Sequence, residues 1–277
     1  MFPWLMKYLP GRHQRVFRAL NDVTSFAKEE VEKHRELQSL HDPQDFIDYY
    51  LLQMEKTKGD PESAYDEENL AQCIVDFFIA GTETTATTLQ WALLLMVAYP
   101  EIHREEQIRE QQDTLDPTHS ICYQDRVKLP YTYAVIHEVL RFKYVLIVGV
   151  PRQSARDVNL YGYHIPKGTL VVTDLNSVLY DPKRWETPEK FNPHHFLDKD
   201  GHFITREEFL PFGAGPRVCL GEQMARMELF LFLTILLRSF KFQMPEGVKE
   251  LSLEPMVGLS LHPRPYKLCA VPHCRTP

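Results

Sequence analysis

Cys219 sits in the stretch FGAGPRVCLG, residues 212–221, among Gly213, Gly215 and Gly221, two residues after Arg217 and just before a long apolar run. Five roles are open to a thiol in that setting: small buried hydrophobe, half of a disulfide, zinc ligand, nucleophile, or single ligand of a flat cofactor. The mouth of a helix carries roughly half a positive charge, which favours thiolate. Arg217 adds a fixed cation. The glycines remove side chains where a rigid, flat ligand needs close backbone approach, and loop amides are able to donate to the sulfur and tune it. The five cysteines (Cys73, Cys122, Cys219, Cys269, Cys274) are odd in number, scattered and without a CxxC. That argues against a disulfide framework or structural zinc and fits a reducing compartment. Every part of the stretch is accounted for if Cys219 is a thiolate ligand to haem iron.

Two further constellations carry chemistry. AGTETT, residues 80–85, places glycine and threonines inside an otherwise apolar helical pattern, where each costs several tenths of a kcal/mol or more relative to alanine. Threonine there bonds to a carbonyl one turn back and bends the helix. Glu83 and Thr84 form an acid–alcohol pair suited to relaying protons; the competing reading is a threonine-rich surface turn. In EVLR, Glu138 and Arg141 are three apart and share a helix face. Such a pair on a surface contributes little.

The elements that must position these residues follow from periodicity. Residues 12–40 have a helical pattern of Val16, Leu20, Val23, Phe26, Ala27 and Val31. DPQDFIDYYLLQMEK predicts a second helix capped by Asp42, with Pro43 in its first turn. Ser63 and Asp66 have capping-box spacing ahead of a long helix over 64–99, stopped by Pro100. It is apolar on most sides and is expected to cross the centre of the domain. PEIHREEQIREQQ predicts a polar surface helix, and residues 130–142 a shorter amphipathic one. Beyond Arg141, β-branched and aromatic residues around Gly and Pro-Lys-Gly turns predict short strands. A Pro- and Phe-rich meander over 181–211 leads into the cysteine loop, an apolar helix over 221–240, and a tail of short strands. There is no repeat and no linker. The expectation is one domain, residues 1–277, mainly α with a small β portion.

Composition excludes several classes. The 277 residues are 44% hydrophobic and 25% charged, with net charge −7. An acidic chain is poorly suited to neutralising phosphates, so nucleic acid is not expected as partner. No run reaches the 18 to 20 apolar residues, about the length needed to span a membrane, and MFPWLMKYLPGRHQR lacks the apolar region of a signal peptide.

The F-x-x-G-x-R-x-C-x-G pattern, with AGTETT, LPYTYAVIHEVLR, GYHIPKGT, FNPHHFLD and LCAVP in that order, resembles the cytochrome P450 family of haem-thiolate monooxygenases. The microsomal family 2 branch, with members oxidising fatty acids and xenobiotics, is the nearest in kind. The resemblance covers the C-terminal part of that fold, so an N-terminally truncated P450 fold is expected, with Met1 as an internal start, a splice form or the product of an incomplete gene model. It implies haem b held axially by Cys219, with Phe212, Gly215, Gly221, Arg217 and Arg152 binding the cofactor. Glu83 and Thr84 would serve oxygen activation. Glu138 and Arg141 would lock the cysteine loop with His195, where many members have arginine. Ala80, Ile147 and Val148 would line the substrate pocket, Ile147 replacing a common proline. NADPH-cytochrome P450 reductase and cytochrome b5 are the implied electron donors, O2 the co-substrate, and the cytosolic face of the endoplasmic reticulum membrane the site, although no anchor is visible. The rival expectation is a catalytically silent fragment acting as an interaction partner. A haem-thiolate isomerase needing no O2 is disfavoured by the retained Glu83 and Thr84.

Overall fold

The computed structural model describes residues 6, 8–36, 42–111, 119–146, 148–248, 250–258 and 260–273. Seven α-helices, α1 His13–Glu36, α2 Phe46–Lys56, α3 Glu67–Ala98, α4 Pro100–Gln111, α5 Pro130–Phe142, α6 Asn176–Leu179 and α7 Glu222–Ser239, dominate them. Short 3-10 turns lie at Tyr123–Val127, Pro193–Phe196 and Gly215–Arg217. Eight strands form four antiparallel two-stranded ribbons. β1 Arg152–Gln153 pairs with β4 Leu170–Val171, and β2 Val158–Leu160 with β3 Tyr163–Ile165. β5 Phe240–Gln243 pairs with β8 Cys269–Pro272, and β6 Pro255–Val257 with β7 Leu261–Pro263. The mainly helical class with a small β portion is the one expected.

The chain forms two compact units, Met1–Thr82 and Glu83–Pro277. In the first, Ala27 and Val31 of α1, Tyr50 and Leu51 of α2, and Leu70, Ala71, Ile74 and Val75 of α3 make one core. In the second, Trp91, Leu94, Leu95 and Met96 of α3 join α5, Trp185, Phe196 and Leu229, Phe230, Leu233 and Leu237 of α7.

Three local expectations are corrected. The cap of α2 is Asp45, not Asp42: the Asp45 carboxylate accepts the amides of Ile47 and Asp48 at 2.9 and 3.1 Å. Asp66, not Ser63, caps α3, accepting the Asn69 amide at 2.7 Å. A side-chain oxygen must lie next to the first helical residue to reach the free amides, and only Asp45 and Asp66 do. The middle of α3 is not central either: Phe77, Phe78 and Ile79 are exposed, and the apolar residues at its two ends feed the two different cores.

A fourth correction concerns α5. It is not amphipathic in the ordinary sense, because every residue from Tyr131 to Phe142 is buried. Its polar residues, Thr132, His137, Glu138 and Arg141, face partners inside the protein rather than water. A buried polar group without a partner costs about 1–3 kcal/mol, so those partners decide where the segments around α5 run.

Candidate functional site

The cysteine loop leaves the Leu210 carbonyl, which accepts the Gly213 amide at 3.0 Å, and turns at Gly213 and Gly215. Both glycines have positive φ, 78° and 74°, where a Cβ is disfavoured. The Cys219 amide then donates back to the Phe212 carbonyl at 2.9 Å, which closes the loop. Gly221 follows as the N-cap of α7. The thiol is exposed and unpaired, and the groupings of His, Cys, Asp and Glu among the described residues do not include it. The exposure argues against the buried-hydrophobe reading for Cys219.

Around the thiol, Val218 and Leu220 are exposed, Leu220 at 90%. An added Cβ at Gly213 or Gly215 meets nothing within 4 Å. Arg217 is exposed, and the Arg152 guanidinium donates to its carbonyl at 3.2 Å. Buried Tyr144 is close enough to Cys219 to feel it; burial first, and the cysteine second, push its phenol up to about 12. An accessible thiol, apolar flanks, room beside the turns and two cations at the edge fit a flat apolar group with anionic substituents, as haem is.

The Glu138–Arg141 pair is fully buried. All five guanidinium N–H groups are placed. Two go to the Glu138 carboxylate at 2.8 and 2.7 Å; three go to the carbonyls of Leu179, Pro188 and Lys190 at 2.8, 2.9 and 3.0 Å. Glu138 also accepts the Asn192 amide at 2.9 Å and His195 Nδ1 at 3.2 Å. The Thr187 amide donates to His195 Nε2 at 3.3 Å. The Thr187 hydroxyl lies 2.9 Å from the same nitrogen and the Glu186 carboxylate 3.9 Å, so His195 joins Glu138 to the start of the meander.

A second tether was not visible in the sequence. His137 donates Nδ1–H to the Tyr133 carbonyl at 2.7 Å, and its Nε2 accepts from Arg226 of α7. Arg226 also binds Glu222 at 2.7 and 3.0 Å, and its guanidinium lies 5.5 Å from the Phe209 ring and 5.3 Å from the Phe212 ring. The first turn of α7, and the loop entering it, are thereby fastened to α5. Burial, then the Arg226 charge, drive the His137 imidazole down to about 3.

In the middle of α3, Glu83 and Thr84 are partly buried, and the Thr88 hydroxyl donates to the Thr84 carbonyl at 2.8 Å, the back-bond expected of that sequence. Glu83 pairs with His262 of β7 at 2.7 Å and accepts the Ser260 hydroxyl at 3.2 Å. Ala80 is exposed rather than enclosed by its apolar neighbours, Val148 is 40% exposed, and Ile147 lies outside the described residues.

The chain thus combines a helical body with small antiparallel ribbons, a buried Glu-x-x-Arg pair bonded to a meander, and a glycine-rich turn presenting an exposed thiol. The family model described as Cytochrome P450 matches residues 1–270, and the chain belongs to that family. Among the relatives it resembles, human (Homo sapiens) Cytochrome P450 2J2 is 45% identical over 273 residues, covering 98% of this chain and 54% of the relative. Cytochrome P450 2J5 of Mus musculus is 44% identical over 272 residues, 98% of this chain and 53% of the relative. Cytochrome P450 2C25 of Mesocricetus auratus is 42% identical over 273 residues, 98% of this chain and 55% of the relative. The chain thus spans about half the length of the curated relatives it matches.

Proposed function

We propose that the chain serves haem-dependent monooxygenation of small lipophilic substrates, such as fatty acids and xenobiotics. The observation that carries this reading is the exposed thiol of Cys219 on its closed glycine turn, within a P450-family chain. Haem b would supply the iron at which O2 is activated. In this reading Cys219 ligates that iron, Arg217 and Arg152 offer charge-assisted bonds to the carboxylates at its edge, and Phe212, Gly215 and Gly221 shape the bed beneath it. Glu83 and Thr84 hold and pass the protons that O–O cleavage consumes. Ala80, Ile147 and Val148 contribute to the substrate pocket. Electrons come from NADPH-cytochrome P450 reductase, with cytochrome b5 as a second donor, at the cytosolic face of the endoplasmic reticulum. No helix among the described residues is long and apolar enough to cross a membrane.

The test is spectroscopic. Purified chain reconstituted with haem, reduced and treated with carbon monoxide should give the red-shifted Soret band of thiolate ligation, and Cys219→Ala should abolish it. The same band in Cys219→Ala would overturn the assignment. The exposure of Leu220, Phe77 and Phe78 favours a second reading, a catalytically silent chain that acts by binding a partner. Stoichiometric haem with turnover eliminates it.

A further inference from the structure

Glu83 does not stand alone in α3. His262 Nε2 is 2.7 Å from its Oε1. The Ser260 hydroxyl donates to the same oxygen at 3.2 Å and lies 3.1 Å from that Nε2. On the far side of the ring, Nδ1 is 3.2 Å from the Thr87 hydroxyl, one helical turn after Glu83. The Thr87 and Ser260 hydroxyls are themselves 3.5 Å apart. Ser260 and Thr87 are each 1% exposed, while the side chains of Glu83 and His262 keep 41% and 29% of their exposure. The carboxylate is thus linked by hydrogen bonds to a ring that reaches water.

Two features of the β6–β7 turn show that this arrangement is held in place. The Leu261 carbonyl accepts the Trp91 indole N–H at 2.7 Å, and the Leu261 amide donates to the Val145 carbonyl at 2.7 Å, so the turn is fastened from two sides. Gly258 lies against the ring: a Cβ there would come 3.3 Å from His262 Cδ2 and 3.2 Å from the Ser260 carbonyl. A larger residue would press on the imidazole.

We propose that His262 and Ser260 are positioning residues that orient Glu83 and replenish its proton, a role that rests on the haem-thiolate reading above. A ring protonated at both nitrogens passes the Nε2 proton to a carboxylate and takes one back from solvent at the same nitrogen, with no net change over the cycle. Here the proton leaves Nε2 for Glu83 Oε1, the N–H bond breaking as the O–H bond forms, while Nδ1–H stays bonded to the Thr87 hydroxyl oxygen. Nε2 then takes its next proton from hydronium or a buffer acid at the part-exposed side of the ring. The carboxylate is ready again each time it has given a proton towards Thr84.

The test has two readouts on the full 277-residue chain. In 15N-histidine spectra of the haem-free chain, Glu83→Gln and Gly258→Ala should each shift the His262 Nε2 resonance, whereas the distant substitution His202→Gln should not. An unmoved Nε2 resonance in Glu83→Gln would overturn the pairing. In haem-loaded chain with reductase, NADPH and lauric acid as probe, His262→Gln and Ser260→Ala should retain the thiolate Soret band. His262→Gln should raise hydrogen peroxide released per NADPH by about tenfold, short of the full contribution of a positioned proton donor because Glu83 remains. The glutamine keeps a hydrogen-bond donor but carries no transferable proton; a wild-type ratio in His262→Gln would mean the ring is only structural and would overturn the proposal. Absence of the thiolate band in the unsubstituted chain would instead overturn the haem reading, and this role with it.

Discussion

His137 is held as a neutral imidazole at the centre of the second tether, and its charge state ties stability to pH. The unfolded ring takes up a proton below its ordinary value of about 6.5. The folded ring, driven down to about 3 by burial and then by Arg226, does not until far lower pH. The unfolded state therefore binds the extra proton between those values, so stability is full above about pH 6.5 and falls as pH drops towards 3, by roughly 1.4 kcal/mol per pH unit. His103, lowered chiefly by burial, adds in the same direction. His137→Gln keeps an acceptor for Arg226 but cannot titrate. Urea unfolding at pH 7 and pH 5 should show a smaller loss for the variant than for the parent; equal losses would refute the account. The turn that carries Cys219 is legible in its ten-residue neighbourhood because a loop that closes on itself is encoded locally. His137 and Arg226 are 89 positions apart, and no local pattern announces such a pair.

Among the elements, α5 organises what surrounds it through Arg141. A lysine there has three donors on a compact head and cannot reach two carboxylate oxygens and three carbonyls together. Glu138→Ala should cost about 3–5 kcal/mol in denaturant unfolding, because the Arg141 charge is left buried without its partner; Arg141→Lys keeps the charge but leaves buried carbonyls unbonded, and should cost about 1–3 kcal/mol. A loss under about 1 kcal/mol, the scale of an exposed pair, would show the cluster to be open to water. The spacing of Glu138 and Arg141 is plain in the sequence, and so is the presence of α3, α5 and α7. What the sequence hides is the other half of each bond, since Leu179, Pro188 and Lys190 contribute carbonyls that every residue possesses. Caps are hidden for a related reason: Asp42, Asp45 and Asp48 all carry the right side chain, and only the backbone path selects Asp45. The exposed centre of α3 eluded periodicity because two cores draw on one helix from its opposite ends.

At the scale of the whole molecule, the two cores predict separable responses to damage. Leu70 is fully buried in the first, and Leu70→Ala should cost about 2–5 kcal/mol there. Amide hydrogen exchange should accelerate in α1 and α2 while α5 and α7, which draw on the second core, keep their protection. Uniform acceleration throughout would mean a single cooperative body. Within the second core the meander has its own logic. Arg141 hydrogen-bonds it through main-chain oxygens, at points as far as 49 residues along the chain, and lies 5.1 Å from the buried Trp185 ring. Substitutions of its exposed side chains leave those contacts in place, so the outer face of that stretch is free to drift in character between related proteins, like a wall repainted without moving the frame behind it.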